Sequence, residues 1–229
     1  MGLGIYHEID LPTVEVVLDQ VVAGRDRKDI RATVLEQFAA DGIAPVSAVE
    51  RWKLAARPAY GTTSVHEHVR KYWNVVNSSE RKELAICAAI ASFPLLAESL
   101  DVLIQITTLR KRAKQSEIRA RLVQNHGARR AVTDTIQKTL QSARRWGLIE
   151  NYSPGVHRPR TPKETTSVVG SAAIGAYLLH AEMDSVRLEN LTSSSILSLW
   201  DFSDYAPDGG QCIELRVGAL GREYVLSNP

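Results

Sequence analysis

Hydrophobic residues recur along this chain mainly at steps of three and four, the spacing that places side chains on one face of a helix. Val14, Val17, Leu18, Val21 and Val22 form a first apolar stripe, and Ile30, Val34, Leu35 and Phe38 a second. The polar turn Gly24-Arg25-Asp26-Arg27 separates them; Asp26 or Asp29 is placed to cap the second helix and Gly42 to end it before Pro45. A third short helix over Ser47 to Ala56 buries Val49, Trp52 and Leu54 or Ala55, and Pro58 and Gly61 break the chain after it. Such a trio fits either a helix-turn-helix or generic helical packing, and packing is the simpler expectation.

The helical pattern resumes from Ser64 to Leu109. Val65, Val69, Tyr72 and Trp73 make one face before a break at Val75 to Ser78, and Ser79 is expected to cap the next helix. The segment LAICAAIASFPLLAESLDVLIQITTL is apolar almost all round, which predicts a buried central helix pair divided near Pro94.

Ser116 to Glu150 then combines helical periodicity with basic charge. Ser116 is placed to cap a helix that buries Ile118 and Leu122 and ends at Gly127. Val132, Ile136, Leu140 and Ala143 line one side of the following helix, and Asp134, Gln137, Lys138, Gln141, Arg144 and Arg145 the other. Arg144 and Arg145 oppose the negative end of the helix dipole, and Gly147 suits the left-handed residue that stops it. Leu148-Ile149 then enters a short strand. Helix, glycine-containing turn, basic helix and strand make the pattern of a winged helix-turn-helix.

Residues 152–167 carry three prolines, basic residues and no periodicity, so they read as a linker or an extended wing. Order returns with a helix over Ala172 to Met183, helical turns at Leu188 to Leu191 and Ser195 to Trp200, and two alternating strands over Gln211 to Val217 and Arg222 to Leu226. The predicted fold is mainly α: a helical bundle with winged helix-turn-helix elements and a small C-terminal β-hairpin. Its expected parts are an N-terminal helical region (1–108), a basic helix-turn-helix (109–151), the linker or wing, and an α+β winged-helix-like module (168–229) for packing or dimerisation.

Charge sharpens the functional expectation. The formal net charge is +2, yet Arg110 to Lys163 holds fourteen Lys or Arg against Glu117, Asp134 and Glu150, a local balance of +11 that leaves −9 for the rest. Such segregation suits a local phosphate-binding surface. Arg110, Lys111, Arg112, Lys114, Arg129, Arg130, Lys138, Arg144, Arg145, Arg158 and Arg160 are the expected phosphate contacts on double-stranded DNA, and Gln137 or Gln141 could reach a base edge. His157-Arg158-Pro159-Arg160 fits either a groove-following arm or a solvated linker.

Chemistry of other kinds leaves little trace. The chain has no GxSxG, HExxH, CxxC, Walker A or GxGxxG motif. Cys87 and Cys212 are expected to be two buried thiols in a reducing compartment, without a disulfide or zinc site. His66 and His68 lie two apart, on different sides of a helix, and read as surface polar residues rather than ligands. Asp201, Asp204 and Asp208 lack the glycine and terminal glutamate of a calcium loop. Ser193-Ser194-Ser195 reads as a cap and turn, and Trp146 as core rather than a base-stacking residue. The longest apolar run, Leu84 to Ala97, is too short to span a bilayer, so a cytoplasmic, non-enzymatic protein without cofactor or metal is expected.

Three segments together, VVLDQVVAGRDRKDIRATVLEQF, ERKELAICAAIASFPLLAESLDVL and VTDTIQKTLQSARRWGLIE, resemble BrxA, the small helical DNA-binding protein of BREX phage-defence systems. The resemblance covers roughly residues 12–150 and rests on helix-packing patterns. It implies that Thr133, Asp134, Lys138 and Arg145 belong to the DNA-binding helix, and that the chain works beside other defence proteins. A winged-helix transcriptional regulator and a protein-interaction scaffold, whose basic strip meets an acidic partner, are the alternatives.

Overall fold

The most apolar stretch of the sequence becomes two helices, α5 (Ser78–Ser92) and α6 (Pro94–Arg110), which meet at a 105° bend. Pro94 starts the second because proline lacks the N–H that continuation would use. In this computed structural model residues 4–187, 190, 196–206, 212–218 and 221–227 are described. Around the central pair the chain is mainly helical: α1 (Leu11–Val22), α2 (Arg27–Ala40), α3 (Pro45–Tyr60) and α4 (Ser64–Tyr72) precede it, and α9 (Ser167–Ala181) packs along α5. No single helix among the described residues is long and apolar enough to cross a membrane.

The caps show how local chemistry sets the boundaries. Asp26 caps α2 through the Lys28 N–H at 2.7 Å. For α5 the cap is Asn77 rather than Ser79: its side chain accepts from the Glu80 N–H and the Glu80 carboxylate accepts from the Asn77 N–H, a complete capping box two residues earlier than expected. Helix α3 runs through Pro58 to Tyr60 instead of ending at Ala56. Pro58 and Ala59 are both buried, so tertiary packing outweighs the lost helical bond.

Two further parts alternate helix and strand. After α6 come β1 (Ala113–Lys114), α7 (Gln115–His126), α8 (Arg130–Arg145), and the hairpin of β2 (Ile149–Ser153) and β3 (Val156–Pro159). The sheet order is β1-β3-β2, all antiparallel. Lys163–Glu164 (β4) pairs in parallel with Trp200–Asp201 (β6), after the 3-10 turn Ile196–Leu199. The last sheet joins β5 (Ser185–Arg187), β7 (Ile213–Gly218) and β8 (Gly221–Leu226) in the order β5-β8-β7, the same arrangement of first, last and middle strand. The expected turn at Leu188 to Leu191 falls outside the described residues except for Asn190, as do Ser193-Ser194-Ser195 and Asp208.

Buried residues from Ile5 to Tyr224 form one continuous cluster. The segment before α1 takes part: the Ile5 N–H donates to Thr139 Oγ1 at 3.2 Å, and Trp146 Nε1 donates to the Ile9 carbonyl at 3.2 Å. Helix α8 is thus held from beneath by the start of the chain, a tie spanning more than 130 residues that local periodicity does not reveal.

His66 and His68 are buried, not surface residues. His66 Nδ1 lies 2.7 Å from the Thr63 hydroxyl and Nε2 lies 2.8 Å from the Ser92 hydroxyl, while His68 Nε2 meets the Val168 carbonyl at 2.8 Å. Gly61 lets the backbone pass the His66 ring, since a Cβ there would lie 2.4 Å from it. Burial, aided by the Arg70 charge, pushes the His66 pKa down to about 4. A histidine depressed below its unfolded value supplies stability at neutral pH that is lost as pH falls from about 6.5 towards 4. The melting temperature is therefore expected to fall across that interval, corresponding to a loss of up to about 3 kcal/mol. A His66→Asn variant should show a flatter profile; an unchanged slope would exclude His66 as the cause.

Candidate nucleic-acid interface

Helix α8 is the element around which the basic residues gather. It buries Ile136, Thr139, Leu140, Ser142 and Ala143 against its neighbours, so this face is committed inward and its charged residues lie outside it. Gly127 at φ +86 ends α7, Gly147 at φ +76 follows α8, and only three residues separate the two helices. Ser116 sits inside the first turn of α7 rather than capping it. The cap is supplied by the Glu117 carboxylate, which accepts from the Lys114 N–H at 2.9 Å.

On α8, Arg130, Gln137 and Arg145 are exposed, while Thr133, Lys138, Gln141 and Arg144 are half-buried, and the Gln141 side-chain oxygen is enclosed entirely, against the expectation that it faces out. Arg129 is exposed at the N-cap. Arg129, Lys138 and Arg144 have no ion pair among the described residues. Arg130 reaches Asp134 only at 3.8 Å, and Arg145 pairs with Glu8 at 2.9 Å. Thr133 lines a groove between α7 and α8 of about 640 Å³ with Gln115, Ser116, Arg119, Ala120, Val123 and Ala128.

The hairpin β2–β3 continues the basic surface. Arg158 is exposed and pairs with Glu150 at 2.8 Å. Lys111, in the left-handed conformation at φ +61, turns the chain out of α6, leaving Arg110, Lys111, Arg112 and Lys114 exposed beside the sheet. Arg110 pairs with Glu117 at 3.1 Å. His157 on β3 is buried, with Nε2 3.3 Å from Gln115 Oε1 at the start of α7; burial first, and the Arg144 charge second, lower its pKa.

Arg160 departs from the sequence expectation. Its side chain is 6% exposed, so it is not part of an extended surface arm. Its guanidinium donates to both carboxylate oxygens of Glu83, at 2.9 and 2.6 Å, and lies 5.4 Å from the centre of the Trp200 ring. Trp200 Nε1 donates to Glu83 at 3.0 Å, and Lys163 approaches the same carboxylate at 3.1 Å. Burial alone would push the Glu83 carboxyl up, but the two cations hold it below the usual range. Sequence proximity placed Arg160 with its exposed neighbours; its partner lies 77 residues away.

Arg119 and Arg121 on α7 are exposed as well, flanking the buried face of Ile118 and Leu122 on either side, and extend the basic surface beyond the residues that the sequence singles out. The two thiols are buried, with Cys87 raised well above the usual range and Cys212 to about 12, both chiefly by burial, so neither is a ready nucleophile. No group of three metal-ligating side chains occurs among the described residues. Comparisons with protein-family models, with curated proteins and with solved structures find no match.

Proposed function

We propose that this chain binds double-stranded DNA without catalysing a reaction on it, and that α6-β1-α7-α8-β2-β3 is a winged helix-turn-helix. In that reading α8 enters the major groove, α7 crosses the backbone, and the hairpin is the wing. A three-residue turn between α7 and α8 and the strand order β1-β3-β2 support it. At sixteen residues α8 is about 24 Å long, enough to follow a groove.

The observation that carries the proposal is the charge distribution. Exposed cations from α7, α8 and the hairpin surround one helix whose apolar face is already buried, in a chain that is otherwise net acidic. Gln137, exposed on α8, is the residue suited to a base edge, whereas the Gln141 side-chain oxygen is buried; Arg129, Lys138, Arg144 and Arg158 suit phosphates. The resemblance to BrxA sets this activity in phage defence, beside other proteins of such a system and inside the cell.

The test is a mobility-shift titration of an arbitrary duplex over a salt series. Log affinity should fall linearly with log salt, with a slope of about −0.9 for each phosphate contacted. Absence of binding at about 50 mM salt, or binding that does not weaken by about 200 mM, would overturn the proposal.

A further inference from the structure

The hairpin carries an aromatic side chain with no part in the contacts proposed above. Tyr152 is 58% exposed, and every other tyrosine, phenylalanine and tryptophan among the described residues is buried or half-buried. Burying a ring of this kind removes about 150–250 Å² from water, and every tryptophan and phenylalanine of the chain is buried. A ring left in solvent therefore contributes little to folding.

Its backbone setting is equally specific. Asn151 pairs with His157 and Ser153 with Val156, so Tyr152 is the extra residue where the register of β2 against β3 slips. A β-bulge of this type re-aims a side chain that regular pairing would set in the pleat. The ring is also backed by a cation. The Arg112 guanidinium, from the segment between α6 and β1, lies 5.5 Å from its centre, and Lys111 and Lys114 are exposed on either side of Arg112 in sequence. An exposed ring among cations is the combination that stacks on bases while holding the backbone.

We infer that Tyr152, backed by Arg112, is a base-stacking platform, and that the DNA bound here carries an unpaired base next to the duplex held by α8. This rests on the DNA-binding reading above. The restriction to unpaired bases follows from geometry: inside a duplex both faces of every base are covered by neighbours. A protein ring gains a face only at a fork, an end or an extruded base. The basic helix then supplies duplex affinity and the hairpin selects the junction.

The experiment measures binding by fluorescence anisotropy, at one salt concentration, to a blunt duplex and to the same duplex with forked single-stranded tails. Wild-type protein is expected to bind the fork about 5- to 100-fold more tightly. Tyr152→Ala should retain blunt-duplex affinity and lose the preference, whereas Tyr152→Phe, which keeps the ring face, should retain both. Melting curves confirm that each variant is folded. Equal wild-type affinity for fork and blunt duplex overturns the inference and leaves the DNA-binding reading standing, as does an undiminished fork preference in Tyr152→Ala. A Tyr152→Ala loss that is equal on both substrates overturns it too, by pointing to insertion into a regular groove. If the wild type binds neither substrate, the DNA-binding reading fails and the inference with it.

Discussion

Replacing Glu83 with alanine is expected to destabilise the fold by about 3–5 kcal/mol, because the change strands a buried cation. The Arg160 side chain is 6% exposed and spends two N–H groups on Glu83, and Lys163 and the Trp200 indole converge on the same carboxylate. Removing the acid leaves Arg160 desolvated without a counter-charge. For a chain of this size the melting temperature should fall on the order of 10 °C. Replacing both partners together, Glu83→Met with Arg160→Met, should cost less than Glu83→Ala alone, since no charge is then left unpaired. A Glu83→Ala loss below about 1 kcal/mol in urea denaturation would show the network to be dispensable. The effect extends to the candidate interface, because Arg160 directly follows β3 and Lys163 opens β4. The exit of the hairpin is pinned to α5 through one carboxylate.

That network marks the boundary of what the sequence discloses. Periodicity locates elements whose face is fixed by near neighbours, so the buried stripe Ile136, Leu140 and Ala143 and the stops at Gly127 and Gly147 are readable directly. The split at Pro94 is readable because proline's missing N–H is a local property of the residue. Side-chain chemistry does not disclose its partner. Arg160 and Arg158 are indistinguishable in the sequence, yet one is buried against Glu83 and the other exposed beside Glu150. His66 and His68 read as surface residues because a short polar helix gives no sign that α4 lies against both α5 and α9. Ser79 and Ser116 have the residue type of a cap, whereas Asn77 and the Glu117 carboxylate have the geometry. The residues between Tyr152 and Lys163 show no helical period because they form a hairpin and a short parallel strand.

Changing Lys138, Arg144 and Arg145 together to alanine is expected to lower the slope of log affinity against log salt by about 2.7, at about 0.9 per phosphate contact. At about 0.1 M salt the affinity for duplex should fall on the order of 100-fold. The three are not equivalent. Lys138 and Arg144 have no ion pair among the described residues, so their charges are available to a phosphate without breaking a contact. Arg145 is held by Glu8 at 2.9 Å, and its removal also uncovers that carboxylate beside α8. Arg145→Ala should therefore weaken binding by more than its own contact, and Glu8→Gln in the same protein should recover part of the loss. Arg25 and Lys28, exposed cations next to and in α2, provide the control, since their alanine variants should leave the slope unchanged. An unaltered slope in the triple variant would mean that α8 does not face the phosphates. A reduced slope with an unchanged melting temperature would tie the binding to this helix, because all three side chains lie outside the buried stripe that holds α8 in place.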